Sequence, residues 1–119
     1  MLIENDSFLA HIYKTKFELE GFKVSRCDNG EAALADVKKK RPDIVFLDIQ
    51  LPQLHGFAVL EKLKQDAATK DIPVIMLSSL GQKDDVEKSL QLGALDYLIT
   101  AHFKPVEAVQ KVRAVLNKL

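Results

Sequence analysis

Tryptophan is absent from the 119 residues, and cysteine occurs once, at Cys27. A single thiol excludes an internal disulfide, and no Cys and His cluster has the spacing of a zinc site. Net charge is absent as well, because 17 Lys plus Arg balance 17 Asp plus Glu. Without a basic field there is no argument for direct nucleic-acid binding; without an acidic tail there is none for a basic partner. No apolar run approaches the roughly 20 residues of a bilayer span, and the N-terminus lacks the basic start and apolar core of a signal peptide. No membrane association is expected, and a cytoplasmic location is the simplest expectation. Internal repeats, linkers and low-complexity stretches are also missing. At 47% hydrophobic and 29% charged, the chain reads as one globular domain over residues 1–119.

What is present is alternation. Met1-Leu2-Ile3 reads as a short strand ending at Glu4-Asn5-Asp6, where Asp6 or Ser7 can cap a helix. That helix carries Leu9, Ile12, Tyr13 and Leu19 at helical spacing and closes at Gly21. Phe22 to Cys27 alternates as a second strand, polar enough for a sheet edge. A helix over 31–40 buries Ala33, Leu34 and Val37. Its Lys38-Lys39-Lys40-Arg41 tail reads as solvated cations at a helix C-terminus, and Pro42 stops it. Ile44 to Leu47 is apolar on both faces, the pattern of a strand in the middle of a parallel sheet, and it ends on Asp48. The loop 51–56 leads to a third helix marked by Phe57, Leu60 and Leu63. Ile72 to Leu77 reads as another buried strand, ending in Ser78-Ser79. A loop with Gly81, a helix over 83–92 and Gly93 lead to a fifth strand, Leu95 to Ile99, ending at Thr100. Pro105 opens a last helix burying Val109, Val112, Leu116 and Leu119. Five strands alternating with five helices predict an α/β fold, with a parallel sheet covered on both faces.

In such a sheet the strand C-termini share one edge, where ligands bind. That edge gathers Glu4-Asn5-Asp6, Asp48, Ser78-Ser79 and Thr100. Close carboxylates resist joint ionisation unless a cation intervenes. Carboxylate, amide and carbonyl oxygens suit Mg²⁺. A carboxylate can attack phosphorus to give an acyl phosphate. Each residue also has a plainer reading: Glu4, Asp6 and Ser78 as caps, Tyr97 as a half-buried aromatic, Met76 and Cys27 as core.

Four stretches together carry a resemblance: Glu4-Asn5-Asp6; Asp48-Ile49-Gln50-Leu51-Pro52 with Gly56; Pro73 to Ser78; and Gly93-Ala94-Leu95-Asp96-Tyr97. Over essentially its whole length the chain resembles a receiver domain of a two-component response regulator, of the single-domain chemotaxis type. The resemblance implies a flavodoxin-like (βα)5 fold with strand order 2-1-3-4-5. It implies a phosphoryl group passing from a sensor histidine kinase or phosphotransfer protein to Asp48. Mg²⁺ would be held by Glu4, Asn5, Asp48 and the backbone carbonyl of Gln50. Ser78 matches the hydroxyl that follows the phosphoryl group, and Tyr97 the aromatic that turns inward on activation. Helix four, strand five and helix five would form the face for an output protein or domain, and for any weak homodimer if the chain is not a monomer. Such a chain is a switch, not an enzyme.

Two positions depart from the family. Asn5 stands where a second acid is usual, which weakens the metal site. Thr100 stands where the family has a lysine followed by proline, and Thr100-Ala101 offers neither. The competing reading is therefore a receiver-like interaction module that works without phosphorylation. A phosphohydrolase of the haloacid-dehalogenase type would need an acid where Gln50 stands. A dinucleotide-binding domain would need glycines where Glu4-Asn5-Asp6-Ser7 stands.

Overall fold

The computed structural model describes residues 1–52, 54–78, 83–99 and 104–117. The elements run β1 (Leu2–Ile3), α1 (Ser7–Leu19), β2 (Arg26–Cys27), α2 (Gly30–Lys40), β3 (Val45–Asp48), α3 (Gly56–Gln65), β4 (Val74–Ser78), α4 (Lys83–Gln91), β5 (Asp96–Ile99) and α5 (Pro105–Leu116). The sheet is parallel with order β2-β1-β3-β4-β5, the flavodoxin-like arrangement. None of the described helices is long and apolar enough to cross a membrane.

Each central strand buries both faces because each face has its own core. Ile3, Val45, Leu47, Val74 and Met76 pack toward α2 and α3 with Ala33, Val37, Val59, Leu60 and Leu63. Their neighbours Leu2, Phe46, Ile75, Leu77 and Leu98 point the other way, against Ala10, Tyr13 and Phe17 of α1 and Val109 and Val112 of α5. The period-2 alternation along a strand thus becomes two cores, which is why the run before Asp48 has no polar gap.

Some expected boundaries move. Strand two shrinks to Arg26–Cys27, because β1 is itself two residues long and offers only the partners Leu2 and Ile3. Phe22 and Val24 pack on the α1–α5 core without joining the ladder. Strand four starts at Val74 and strand five at Asp96. On α1 the buried face is Ala10, Tyr13 and Phe17, while Leu19 is 78% exposed. Leu19 lies two residues beyond Phe17, about 200° round the helix, and so faces solvent. Leu116 is only partly buried. The expectations placed on Ser79, Gly81, Thr100, Ala101 and Leu119 fall outside the described residues.

One close approach shapes the loop after Asp48. The Gly56 N–H donates to the Ile49 carbonyl at 2.8 Å. A Cβ on Gly56 would lie 2.2 Å from the Asp48 carbonyl oxygen, so only glycine lets α3 start there.

Candidate functional site

The sequence turns acidic at the C-terminal end of β1 and stays so for two residues that the sheet treats differently. Glu4 is buried, 3% exposed, and its Oε1 accepts the Asp6 N–H at 3.1 Å. Asp6 is exposed and caps α1, its Oδ1 accepting the N–H groups of Phe8 at 2.9 Å and Leu9 at 3.1 Å. The helix N-terminus thus holds one oxygen of the carboxylate that could have made up for Asn5. Asp48 ends β3, partly buried, and its Oδ1 accepts the Gln50 N–H at 3.2 Å. Ser78 ends β4 and is buried; burial pushes the nearby Tyr97 phenol up, with Ser78 pulling the other way.

These residues line one cleft of about 240 Å³, formed by Glu4, Asn5, Asp6, Leu9, Asp48, Gln50 and Ser78. Topology brings the expected set together, except for Tyr97 and for Thr100, which lies outside the described residues. Tyr97 does not line the cleft. It is 8% exposed and packs in the core rather than standing half-buried as expected. A larger groove of about 1050 Å³, lined by Pro73, Leu95, Asp96 and Lys111 among others, sits at the opposite edge of the sheet and includes none of the expected residues.

Two carboxyls in one partly dry cleft cannot both ionise freely. Burial pushes Glu4 up, the Asp48 charge and a hydrogen bond to Asp48 push it further, and the Asp6 N–H pulls it back; the result is about 8. Asp48 also moves up, chiefly by burial, against the Gln50 and Ile49 N–H groups, the hydrogen bond from Glu4 and the nearby His55, which lower it. With no cation both carboxyls therefore hold a proton more tightly than an ordinary carboxylate. The donor set is oxygen only, and its uncompensated charge fits a hard divalent cation such as Mg²⁺. Among the described residues no three His, Cys, Asp or Glu side chains form a metal cluster; Asn5 is an amide and Asp6 is the N-cap of α1. The site is an oxygen site with a reduced charge count.

Two supporting residues were not foreseen. Arg26 donates from Nε to the Glu4 carbonyl at 3.2 Å, and from Nη2 to the same carbonyl at 3.0 Å and to the Asn5 carbonyl at 3.2 Å. His55 caps α3, its Nδ1 accepting the Phe57 N–H at 3.2 Å. A cap signal could have been read from His55 standing just before Gly56 and Phe57. Nothing in the order of residues marks Arg26, since its partners are main-chain atoms more than twenty positions away.

The sequence profile of the response regulator receiver domain family matches residues 1–115. The DNA-binding dual master transcriptional regulator RpaA of Synechocystis sp. is 35% identical over 118 residues, which are 99% of this chain and 48% of that protein. The chain spans about half the length of the curated relatives it matches. A putative response regulator from Chloroflexus aurantiacus superposes with a TM-score of 0.91 at 29% identity, over 98% of this chain and 94% of that one. The receiver domain of a sensor histidine kinase from Pseudomonas aeruginosa, solved with a magnesium ion coordinated in its active site cleft, superposes with a TM-score of 0.83 at 25% identity, over 93% and 89%. Fold, cleft and sequence likeness agree, and this chain belongs to the response regulator receiver domain family of two-component signalling.

Proposed function

We propose that residues 1–119 form one receiver domain that works as a phosphoacceptor switch, with Asp48 the acceptor. The observation that carries this reading is the Glu4–Asp48 pair, two carboxyls lining one oxygen-rich cleft beyond the ends of β1 and β3. An Asp48 carboxylate oxygen forms a bond to phosphorus as the phosphorus–nitrogen bond of a kinase phosphohistidine breaks. The bonding pair returns to the imidazole, and an acyl phosphate remains. Glu4, Asn5, Asp48 and the Gln50 carbonyl would hold Mg²⁺, whose charge, when bound, offsets that of the phosphoryl oxygens. Ser78 is placed to donate its hydroxyl proton to a phosphoryl oxygen. Tyr97, whose phenol lies near Ser78, would be the residue of β5 to register the event. The output face is then α4, β5 and α5, where Leu90 of α4 and Val106 of α5 are exposed apolar residues. The partner is an output protein or an attached output domain, and the kinase or phosphotransfer protein is the donor. The domain switches and does not turn over a substrate.

A second reading has specific support. Asn5 carries no charge, Asp6 is committed to the α1 cap, and Thr100 stands where the family has lysine. Together these favour a module that binds its partner without phosphorylation. Incubation with acetyl phosphate and Mg²⁺, read by intact mass, separates the two. The first reading expects one added phosphoryl group in the wild type and none in Asp48→Asn. No adduct at saturating donor and metal would leave the second reading standing.

A further inference from the structure

The ladder between β1 and β2 ends at the pair Ile3 and Cys27. The chain leaves the sheet just before the residues that line the cleft. The Glu4 N–H still reaches the Cys27 carbonyl at 3.0 Å, but no further ladder step fixes the turn that follows. Arg26 supplies the missing hold. It sits on the edge strand opposite Leu2, and its guanidinium reaches along the strand to the carbonyls of Glu4 (3.2 and 3.0 Å) and Asn5 (3.2 Å). A planar guanidinium with donors at fixed angles can fork two successive carbonyls, and an ammonium cannot reproduce that geometry.

We infer that Arg26 is a positioning residue of the site: its fork fixes the main chain of Glu4 and Asn5, so that both side chains line the cleft with Asp48. For its function this inference rests on the phosphoacceptor reading above. The charge of Arg26 and its fork pull in opposite directions. As a cation beside a cation site, the guanidinium by itself weakens Mg²⁺ binding, by roughly a few fold at a solvent-facing position. As the hold on two ligand-bearing residues it strengthens binding, and contacts that orient metal ligands are worth about 10–100-fold. The fork therefore dominates, and the sign of the effect on Mg²⁺ affinity tells the two roles apart.

The test uses the full chain and its Arg26→Ala, Arg26→Lys and Arg26→Gln variants. Mg²⁺ affinity is read from ¹⁵N amide shifts of Gln50 and Gly56, and the initial rate of acetyl phosphate uptake is read across a Mg²⁺ series. Urea midpoints by circular dichroism report whether each variant is folded. The expected result is Mg²⁺ binding weakened about tenfold in Arg26→Ala, with Arg26→Lys no better, since it keeps the repelling charge and loses the fork. Arg26→Gln, with a donor and no charge, should lie between these and the wild type. At saturating Mg²⁺ the uptake rate should return to within about twofold of wild type, placing the effect in the metal constant rather than in the ceiling. Unchanged affinity in all three variants, tighter binding in Arg26→Ala, or full rescue by Arg26→Lys would each overturn the inference. A wild type that takes up neither Mg²⁺ nor phosphoryl overturns the phosphoacceptor reading and the positioning role with it. A wild type that does both, beside unaffected variants, overturns the positioning role alone.

Discussion

Replacing Gly56 by alanine should damage stability and phosphoacceptor chemistry together, because one backbone contact serves both. The added Cβ would meet the Asp48 carbonyl oxygen at 2.2 Å, the Ile49 Cα at 2.7 Å and the Ile49 carbonyl oxygen at 2.8 Å. All three are main-chain atoms and cannot rotate aside. Normal contact distances of about 3.4 Å or more require α3 and the end of β3 to part by roughly 1 Å. Overpacking of this kind costs about 1–3 kcal/mol, and the rigidity of the neighbours places Gly56→Ala at the upper end. Alanine recovers up to about 1 kcal/mol through helix propensity. The net loss should be about 2 kcal/mol, visible as a lower urea midpoint at unchanged slope. Circular dichroism is the suitable probe, since the chain has no tryptophan. The displaced atoms belong to Asp48 and the residue after it, so phosphoryl uptake from acetyl phosphate should fall as well. Val112→Ala, in the core under α5, should cost a comparable ~2 kcal/mol and leave uptake unchanged. An unshifted midpoint for Gly56→Ala would refute the steric argument. Equal loss of uptake in Val112→Ala would show that general destabilisation, not the contact at Asp48, is responsible.

Two further outcomes follow from the charges of the site. In metal-free protein the folded-state pKa of Glu4, about 8, lies above its ordinary 4.5, so the native chain binds the extra proton; stability should fall as pH rises from about 5 to 8, by up to about 4 kcal/mol at 1.4 kcal/mol per pH unit. Urea midpoints in EDTA should show this decline in the wild type and a smaller one in Glu4→Gln, where only the burial of Asp48 remains, and saturating Mg²⁺ should remove it; a wild-type midpoint that rises across that window contradicts the raised Glu4 carboxyl. Thr100→Lys restores the family's cation, and phosphorylation should then change the Tyr97 chemical shifts more than it does in the wild type. Shifts equal in the two proteins would mean that Thr100 is not where coupling was lost.

Strand and helix order was legible because periodicity is a local property. The apolar run before Asp48 could only be a strand buried on both sides, and the turn residues between runs set the crossovers. Right-handed crossovers then put every strand C-terminus on one edge, so Glu4, Asp48 and Ser78 could be grouped before any distance was known. Leu19 and the length of strand two were misjudged for a related reason. Both depend on what packs opposite, and the ladder of β2 ends where β1 runs out of residues.

The division between sequence and structure is sharpest at the acidic turn. Residue types alone decided that the site is built of oxygen ligands, that Asn5 withholds a charge, and that Asp48 ends the central strand. Tertiary structure decided which carboxylate does what. The start of α1 takes Asp6 as a cap, burial beside Asp48 raises the proton affinity of Glu4, and Tyr97 packs into the core. Arg26 belongs wholly to the second group. Its role comes from hydrogen bonds to backbone carbonyls far away in sequence, and a carbonyl is the same atom pair whatever side chain it carries, so no order of residues can announce it.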